Sequence, residues 1–197
     1  MKLTRLTRTR SGRVALAAVP VGVIAAVLAG GVANGAVPVS FAVSGGQFKI
    51  SATHLEGTGF SQYGGVASDT AGGQHPVAVS NIASAQLTDL CQSVLTQTPL
   101  GTIGVKITAG DAGTPASATD LQIGLTDLQG DASFGNIRIG VDASTVKTAE
   151  KGSAGDFAQD SDTIAIDGLK QTAWSTQAGV FTLTNLHLQL TDGEECY

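Results

Sequence analysis

The sequence predicts an all-β fold, an antiparallel sandwich or rolled sheet with bulged strands, preceded by an N-terminal signal or transmembrane helix. Three observations predict the β domain. Charged residues make up only 14% of the 197 residues, and Gly occurs 26 times. Apolar residues also recur at every second position in several segments. Low charge with frequent Gly is typical of strands joined by tight turns, and a period of two places alternate side chains on one face of a strand.

The N-terminal segment, residues 1–35, is predicted to be a secretory signal peptide. Five basic residues lie within the first 13 positions, and the next charged residue is Lys49. Between them, residues 14–33 are almost wholly apolar or small. A basic start followed by an apolar segment is typical of a cleaved export signal. The alternative is an uncleaved membrane anchor through residues 14–33, since about 20 apolar residues span a bilayer. Either interpretation places residues 36–197 outside the cytoplasm.

Residues 36–197 are predicted to form a single β-rich extracytoplasmic domain. The domain contains six positively and 16 negatively charged residues, a net charge of −10. Nucleic acid binding requires a basic surface, so the charge excludes nucleic acid as a partner. Attraction to anionic lipid head groups requires basic residues as well, and it is disfavoured for the same reason.

The two cysteines, Cys91 and Cys196, are predicted to form a disulfide. An exported domain meets an oxidising compartment, in which an even number of cysteines pair. The bond would enclose most of the domain and fasten the C-terminal residues to its body. A metal site is the alternative for such a pair, but the chain has no C-x-x-C motif and no His near either cysteine.

Period-two alternation predicts several strands within the domain. The strands with the clearest alternation cover residues 37–43, 48–52, 103–109, 121–125, 137–141 and 164–166. The best candidate for a helix is residues 83–97, because their leucines recur at a spacing that suits one helical face. Clusters of Gly, Pro, Asp and Ser predict loops at residues 62–76, 109–117 and 148–162.

A repeated tetrapeptide marks positions where the alternation changes phase. L-T-D-L occurs at residues 87–90 and 125–128, and L-T-N-L at residues 183–186. A strand keeps one apolar face across such a slip only if it bulges or turns, which Asp or Asn accommodates. A β-solenoid, with L-x-x-L at each corner of a coil, is the alternative fold. The repeats lie 38 and 58 residues apart, and this lack of a fixed period favours bulged strands.

The segment GTGFSQYGG, residues 57–65, raises the question of a hydrolase. Its Gly-Phe-Ser begins like the G-x-S-x-G elbow, in which the Ser is the nucleophile and a His is the base. Tyr63 stands where the elbow needs its second Gly, and the full motif occurs nowhere in the chain. We therefore favour a structural interpretation, in which the glycines form turns and the aromatic residues cover the core. If the chain is a hydrolase, Ser61 with His54 or His75 are the catalytic candidates.

No set of residues predicts a metal ion or a cofactor. Residues 156–167 contain four aspartates, but they lack the EF-hand spacing and its closing Glu. No glycine-rich phosphate-binding motif is present in the sequence. Trp174, the only Trp, is expected to anchor the core or a sheet edge, and contact with a ligand is the alternative.

A set of segments in fixed order carries a more specific signal. They are SFAVSGGQFKISA (40–52), GTGFSQYGG (57–65), HPVAVS (75–80), LCQSV (90–94), FAQDSD (157–162), KQTAW (170–174) and the terminal ECY. Together they resemble a family of exported actinomycete proteins of unknown function, many of which are labelled cholesterol esterase. The resemblance covers the whole domain. It implies export, association with the membrane and a membrane-protein partner, and it supplies no catalytic residues.

Taken together, the sequence predicts an exported, non-enzymatic protein of the cell envelope that binds a lipid or a membrane-protein partner. Apolar strand faces would form the pocket for a lipid, and sheet edges would serve for assembly with another protein. The alternative function, implied by the resemblance, is that of a lipid ester hydrolase similar to cholesterol esterase. No number of subunits is predicted.

Overall fold

The computed structural model describes residues 42, 43, 45–99, 101–111 and 113–197, which form an all-β fold. The predicted signal or membrane anchor, residues 1–35, lies outside the described residues. Among those described, no helix is long and apolar enough to cross a membrane. A short 3-10 helix occupies Ala143–Thr145. The strands are β1 (Ala42–Val43), β2 (Phe48–Asp69), β3 (Gln74–Thr88), β4 (Leu90–Thr98), β5 (Gly101–Ala109), β6 (Ala116–Gly135), β7 (Arg138–Asp142), β8 (Phe157–Gln177), β9 (Val180–Thr182) and β10 (His187–Thr191).

Four long strands close into a barrel. β2 pairs with β3, β3 with β6 and β6 with β8, all antiparallel. β8 then returns to β2 through a register that runs from Phe48↔Ala173 to Ala52↔Leu169. The predicted rolled antiparallel sheet is therefore confirmed. The solenoid alternative is wrong, because a solenoid stacks parallel coils and the only parallel pair among the described strands is β1 with β2.

Three further strands, β4, β5 and β10, extend the sheet beyond the barrel, and we call them the wing. β4 pairs with the first residues of β2, β5 pairs with β4, and β10 pairs with β5. β10 is thus one edge of the described sheet, and β7, paired with β8, lies at the other end. β9 pairs with β6 outside this order.

Three residues with left-handed backbone conformations lie in a row where the wing strands meet the connections to the barrel. Asp89 separates β3 from β4 with φ 51°, Gly110 is the first residue of the β5–β6 connection with φ 73°, and Asn185 lies between β9 and β10 with φ 56°. The backbone N–H of Asp89 donates to Gly110 O, and Gly110 N donates to Thr184 O. Backbone hydrogen bonds therefore link the three connections to one another. We call this row the crease.

The tetrapeptide repeats account for the crease and for a bulge. Asp89 and Asn185 are the third residues of the repeats at 87–90 and 183–186, so the predicted turns at these phase slips are confirmed. At the remaining repeat, residues 125–128, the pairing of β6 with β8 shifts register between Leu125 and Asp127. An extra residue on one strand bends that strand and increases its twist, which a strand of a closed four-stranded barrel requires.

Buried side chains form two apolar clusters, which lie on opposite faces of the β2–β3 pair. The smaller cluster surrounds Tyr63, Val79 and Val146, and half-buried Trp174 packs against it. The larger cluster is contributed mainly by the four barrel strands, and its bulkiest members are Ile50, Leu55, Phe60, Ile82, Leu87, Leu90, Leu121, Ile123, Leu125, Ile164, Ile166 and Leu169. Burial of such side chains contributes roughly 1.5–3 kcal/mol each, and this is the main stabilisation of the fold.

The helix predicted for residues 83–97 is wrong, because this segment forms the end of β3 and most of β4. Leu87 and Leu90 are both buried, with 4% and 2% of their surface exposed. Their three-residue spacing imitates a helical face. In the structure this spacing arises because Asp89 turns the chain between them and so restores the apolar phase of the strand.

The turns predicted from glycines in residues 57–65 are also wrong, because the whole segment lies inside β2. Gly59 has φ 67°, and a Cβ there would lie 2.9 Å from Ala83 Cβ on the neighbouring strand. It therefore bends β2 without ending it. The loop predicted for residues 62–76 is likewise wrong, since only the four residues between Asp69 and Gln74 leave the strands.

Candidate functional site

Ser61 lies within β2, and its side chain is fully buried, with 0% of its surface exposed. Its Oγ is 2.5 Å from Thr148 Oγ1, and it accepts a hydrogen bond from Asn81 Nδ2 at 3.1 Å. Gln122 Nε2 in turn donates to Asn81 Oδ1 at 2.8 Å. Neighbouring strands β2, β3 and β6 thus carry a buried row of polar side chains, which we call the polar row. Its members satisfy one another, as buried polar groups must.

The two histidines predicted as possible bases lie elsewhere. His54 Nδ1 is 2.6 Å from Asp167 Oδ1, a contact that joins β2 to β8. His75 Nε2 is 3.0 Å from Asp69 Oδ2 at the β2–β3 hairpin. A general base must lie within hydrogen-bond reach of the nucleophile, and neither histidine forms a hydrogen bond with Ser61 among the described residues. The structure does not bring the candidate catalytic residues together.

Trp174 stacks on His75, with ring centroids 3.7 Å apart and an angle of 14° between the planes. Asp69 orients His75 and also accepts hydrogen bonds from the backbone N–H groups of Ala71 and Gly73. The hydrogen bond from His75, followed by that from Gly73, lowers the pKa of Asp69 below its usual value. Trp174 therefore joins β8 to the β2–β3 hairpin, as expected of an anchor.

A cleft of about 500 Å³ opens beside the outer end of the polar row. Asn81 and Gln122 belong to its wall, together with residues 148–150 and 177–179. Concave sites with a few convergent polar groups are the usual places for small ligands. We call it the amide cleft. The residues lining it are Asn81, Ile82, Ala83, Asp120, Leu121, Gln122, Thr148, Ala149, Glu150, Gln177, Ala178 and Gly179.

A second candidate surface is one face of the wing. Leu186, Leu188 and Leu190 have 52%, 54% and 71% of their surface exposed. The register pairs Leu188 with Ile107 and Leu190 with Val105, so these side chains share one face of the sheet. We call the surface formed by Ile103, Val105, Ile107, Leu186, Leu188 and Leu190 the leucine face. Contiguous exposed apolar residues of this kind mark interaction sites.

A model of the family of unknown function DUF6230 matches residues 44–197. The chain belongs to the DUF6230 family. The matched residues include the barrel, the wing and both candidate surfaces. Searches of curated proteins and of solved structures found no match. The description of DUF6230 names no activity, so the esterase activity implied by the resemblance stays a prediction.

The C-terminal tail of the DUF6230 chain, residues 192–197, covers the polar face of the wing opposite the leucine face. The predicted disulfide is present between Cys91 of β4 and Cys196. Cys196 N donates to Ser93 Oγ at 3.0 Å, and Lys49 Nζ lies 2.7 Å from Glu195 Oε2. The bond is of the kind that forms in an oxidising compartment.

The acidic segment of the DUF6230 chain, residues 156–167, contributes to ion pairs. Buried Asp160 accepts from Arg138 and from the backbone N–H of Lys147, and Asp162 pairs with Lys147 Nζ at 2.6 Å. The hydrogen bond from Arg138 is the main cause that lowers the pKa of Asp160 below its usual value. No group of three or more His, Cys, Asp or Glu side chains among the described residues could hold a metal ion.

Sequence reasoning missed the amide cleft because its residues are widely separated along the chain and form no motif. The apolar phase of Leu186, Leu188 and Leu190 was visible in the sequence, but alternation alone does not distinguish a buried strand face from an exposed one. The burial of Ser61 could not be predicted from the sequence either, because its neighbours Asn81 and Thr148 come from remote segments.

Proposed function

We propose that this DUF6230 protein is an exported component of the cell envelope that binds another envelope protein at β10 and catalyses no reaction. The observation that carries the proposal is the leucine face at a free sheet edge. A partner strand placed beside β10 would gain backbone hydrogen bonds from the edge and apolar contacts from Leu188 and Leu190. Strand addition of this kind is a recurring mode of protein recognition.

β10 lacks the features that protect edge strands from pairing. Natural edges carry Lys, Pro or a bulge, or are very short. The β10 sequence, His-Leu-Gln-Leu-Thr, contains neither Lys nor Pro, and its pairing with β5 keeps one register throughout. Within the described part of the chain, β10 pairs only with β5. An unprotected edge with exposed leucines is a liability unless a partner covers it.

The shape and charge of the domain favour a protein partner over a lipid. Side chains of the larger apolar cluster occupy the barrel interior, and the amide cleft combines apolar residues with two carboxylate and three amide residues. A lipid surface would cover the leucines without using the backbone groups of the edge. The net charge of −10 on residues 36–197 opposes approach to anionic head groups.

Export is supported by two independent features. A basic start followed by the apolar residues 14–33 is typical of a signal or anchor, and the disulfide between Cys91 and Cys196 is typical of extracytoplasmic proteins. An anchor through residues 14–33 would keep the domain close to the membrane. A membrane protein would then be within reach of β10.

Photo-cross-linking in the native envelope tests the proposal. A photoreactive phenylalanine analogue is placed at Leu190 of the full chain, which is expressed in its own host and irradiated. We expect cross-linking to one envelope protein, identified by mass spectrometry. The double variant Leu188→Thr/Leu190→Thr should compete at least about tenfold less well than the unaltered chain for that partner, since each leucine contributes about 1 kcal/mol or more.

Ile139 on β7 supplies the matched control, because it is an equally exposed apolar residue, 66% exposed, at the opposite end of the sheet. The analogue at Ile139 should give no such product, and Ile139→Thr should compete normally. Cross-links from Leu190 to lipid alone, to a second copy of this chain alone, or to nothing would contradict the proposal.

A further inference from the structure

The amide cleft has an unusual balance of charge. Its lining residues include Asp120 and Glu150, both exposed, but no Lys, Arg or His. Neither carboxylate belongs to an ion pair among the described residues. A cleft lined by charge of one sign concentrates ligands of the opposite sign. The cleft therefore disfavours phosphate and other anions and favours a cation.

The cations nearest in sequence to Glu150 are already engaged. Lys147 Nζ pairs with Asp162, and Lys151 Nζ donates to the carbonyl oxygen of Val146. Arg138 is held by Asp160. Since none of these side chains turns to the cleft, the two carboxylates remain as acceptors for a positively charged group from outside the chain.

The inner wall of the cleft adds neutral hydrogen-bonding groups. Asn81 and Gln122 are 4% and 8% exposed. Behind this wall lies Tyr63, which is only 5% exposed and does not line the cleft, and its buried hydroxyl has no hydrogen-bond partner among the described residues. Buried polar atoms without a partner are rare and are usually satisfied by an ordered water.

Three residues that line the cleft affect the pKa of Tyr63. Burial is the main cause that raises the pKa of Tyr63, and the charge of Glu150 raises it further. Asn81 and Gln122 lie near enough to lower it in part, although neither forms a hydrogen bond of ordinary geometry with the phenol. The hydroxyl therefore stays protonated at neutral pH, where it can both donate and accept.

From this geometry we infer that the amide cleft binds a small polyhydroxyl molecule that carries an ammonium group, such as an amino sugar. Asp120 and Glu150 hold the ammonium group, and the amides of Asn81 and Gln122 contact the hydroxyl groups. A volume of about 500 Å³ suits one or two sugar rings, since small-molecule sites are roughly 300–1,000 Å³. This site lies apart from the leucine face, so it does not depend on the proposed function.

An NMR titration tests the inference with two probes that share the same sugar ring. D-glucosamine carries an ammonium group, whereas the nitrogen of N-acetyl-D-glucosamine is a neutral amide. The full chain, with its disulfide oxidised and labelled with ¹⁵N, is titrated with each, and the side-chain amide signals of Asn81 and Gln122 are followed. We expect glucosamine to shift both signals with a millimolar Kd, at least about tenfold tighter than the neutral probe.

The double variant Asp120→Asn/Glu150→Gln should weaken glucosamine binding by about tenfold or more and leave the neutral probe unaffected. Asn tolerates the left-handed conformation of Asp120, φ 49°, so the fold is retained. Asp131→Asn, an exposed carboxylate on the same strand outside the cleft, should change nothing. Equal affinity for both probes, no effect of the double variant, shifts confined to other residues, or no shift at about 20 mM probe would each overturn the inference.

Discussion

Ser61 shows how the surroundings of one residue decide its chemistry. A catalytic serine needs a base and access to substrate. Ser61 is fully buried and hydrogen-bonded to Asn81 and Thr148, while His54 and His75 are each held by an aspartate. Its hydroxyl therefore joins strand β2 to β3 and to the segment that follows the 3-10 helix, which is a structural role.

Replacing Ser61 by Ala should destabilise the fold without changing any hydrolysis. The substitution leaves Asn81 Nδ2 and Thr148 Oγ1 each without one partner, so we expect a loss of about 1–3 kcal/mol in the free energy of unfolding. Urea unfolding measures this loss, and exposed Ser84→Ala should change it by less than about 0.5 kcal/mol. Both variants and the unaltered chain should cleave nitrophenyl and cholesteryl esters only at the background rate. Turnover that disappears in Ser61→Ala would support the hydrolase instead.

The crease is the feature whose residue types the backbone conformation determines most directly. Asp89, Gly110 and Asn185 lie next to one another across three connections and share left-handed backbone conformations. Thr53 Oγ1 of the adjoining strand β2 donates to Asp89 Oδ2 at 2.9 Å. Most residues with a Cβ are strained in this conformation. Asn and Asp tolerate it best, because their short polar side chains form hydrogen bonds to the nearby backbone. The crease therefore needs the Asp and Asn of the tetrapeptide repeats.

Asp89→Ala should cost about 1–2 kcal/mol in the free energy of unfolding, because Ala is strained at a left-handed position and loses the bond from Thr53. Asp89→Asn keeps both the conformation and a side-chain acceptor, so it should cost less than about 0.5 kcal/mol. Asp89→Gly should fall between them. Chemical unfolding of the three variants distinguishes the outcomes, and an equal loss for Ala and Asn would show that conformation is not the cause.

The sequence predicted an element where the residues that determine it lie within one segment of the chain. Alternation located β5, β7 and parts of β6 and β8, and the phase slips located the crease and the bulge, because each signal is read within one segment. The spacing of Leu87 and Leu90 was ambiguous between a helix and a strand that turns a corner. The closure of β8 onto β2 and the assembly of the amide cleft depend on pairs more than 100 residues apart or on several strands at once, and no local pattern encodes them.

At the scale of the whole molecule, the disulfide ties the last residues to the middle of the chain. Cys91 and Cys196 are separated by 105 residues, so the bond closes a loop that contains most of the domain. Such a loop restricts the unfolded chain and contributes roughly 4–5 kcal/mol in the chain-entropy model. The tail it holds is also the cover for one face of the wing, whose other face is exposed.

Removing the disulfide should therefore loosen the wing more than the barrel. For Cys91→Ser/Cys196→Ser we expect a loss of up to about 4 kcal/mol in the free energy of unfolding. Amide hydrogen exchange should show the largest loss of protection in β4, β5 and β10, since local stability follows local burial. Glu195→Gln is the control, because it removes only the partly exposed ion pair with Lys49 and should cost no more than about 1 kcal/mol. An equal loss of protection in barrel and wing would mean that the bond acts only on the unfolded chain. Loss confined to the wing would instead show that the tail holds β10, and with it the leucine face, in position for a partner.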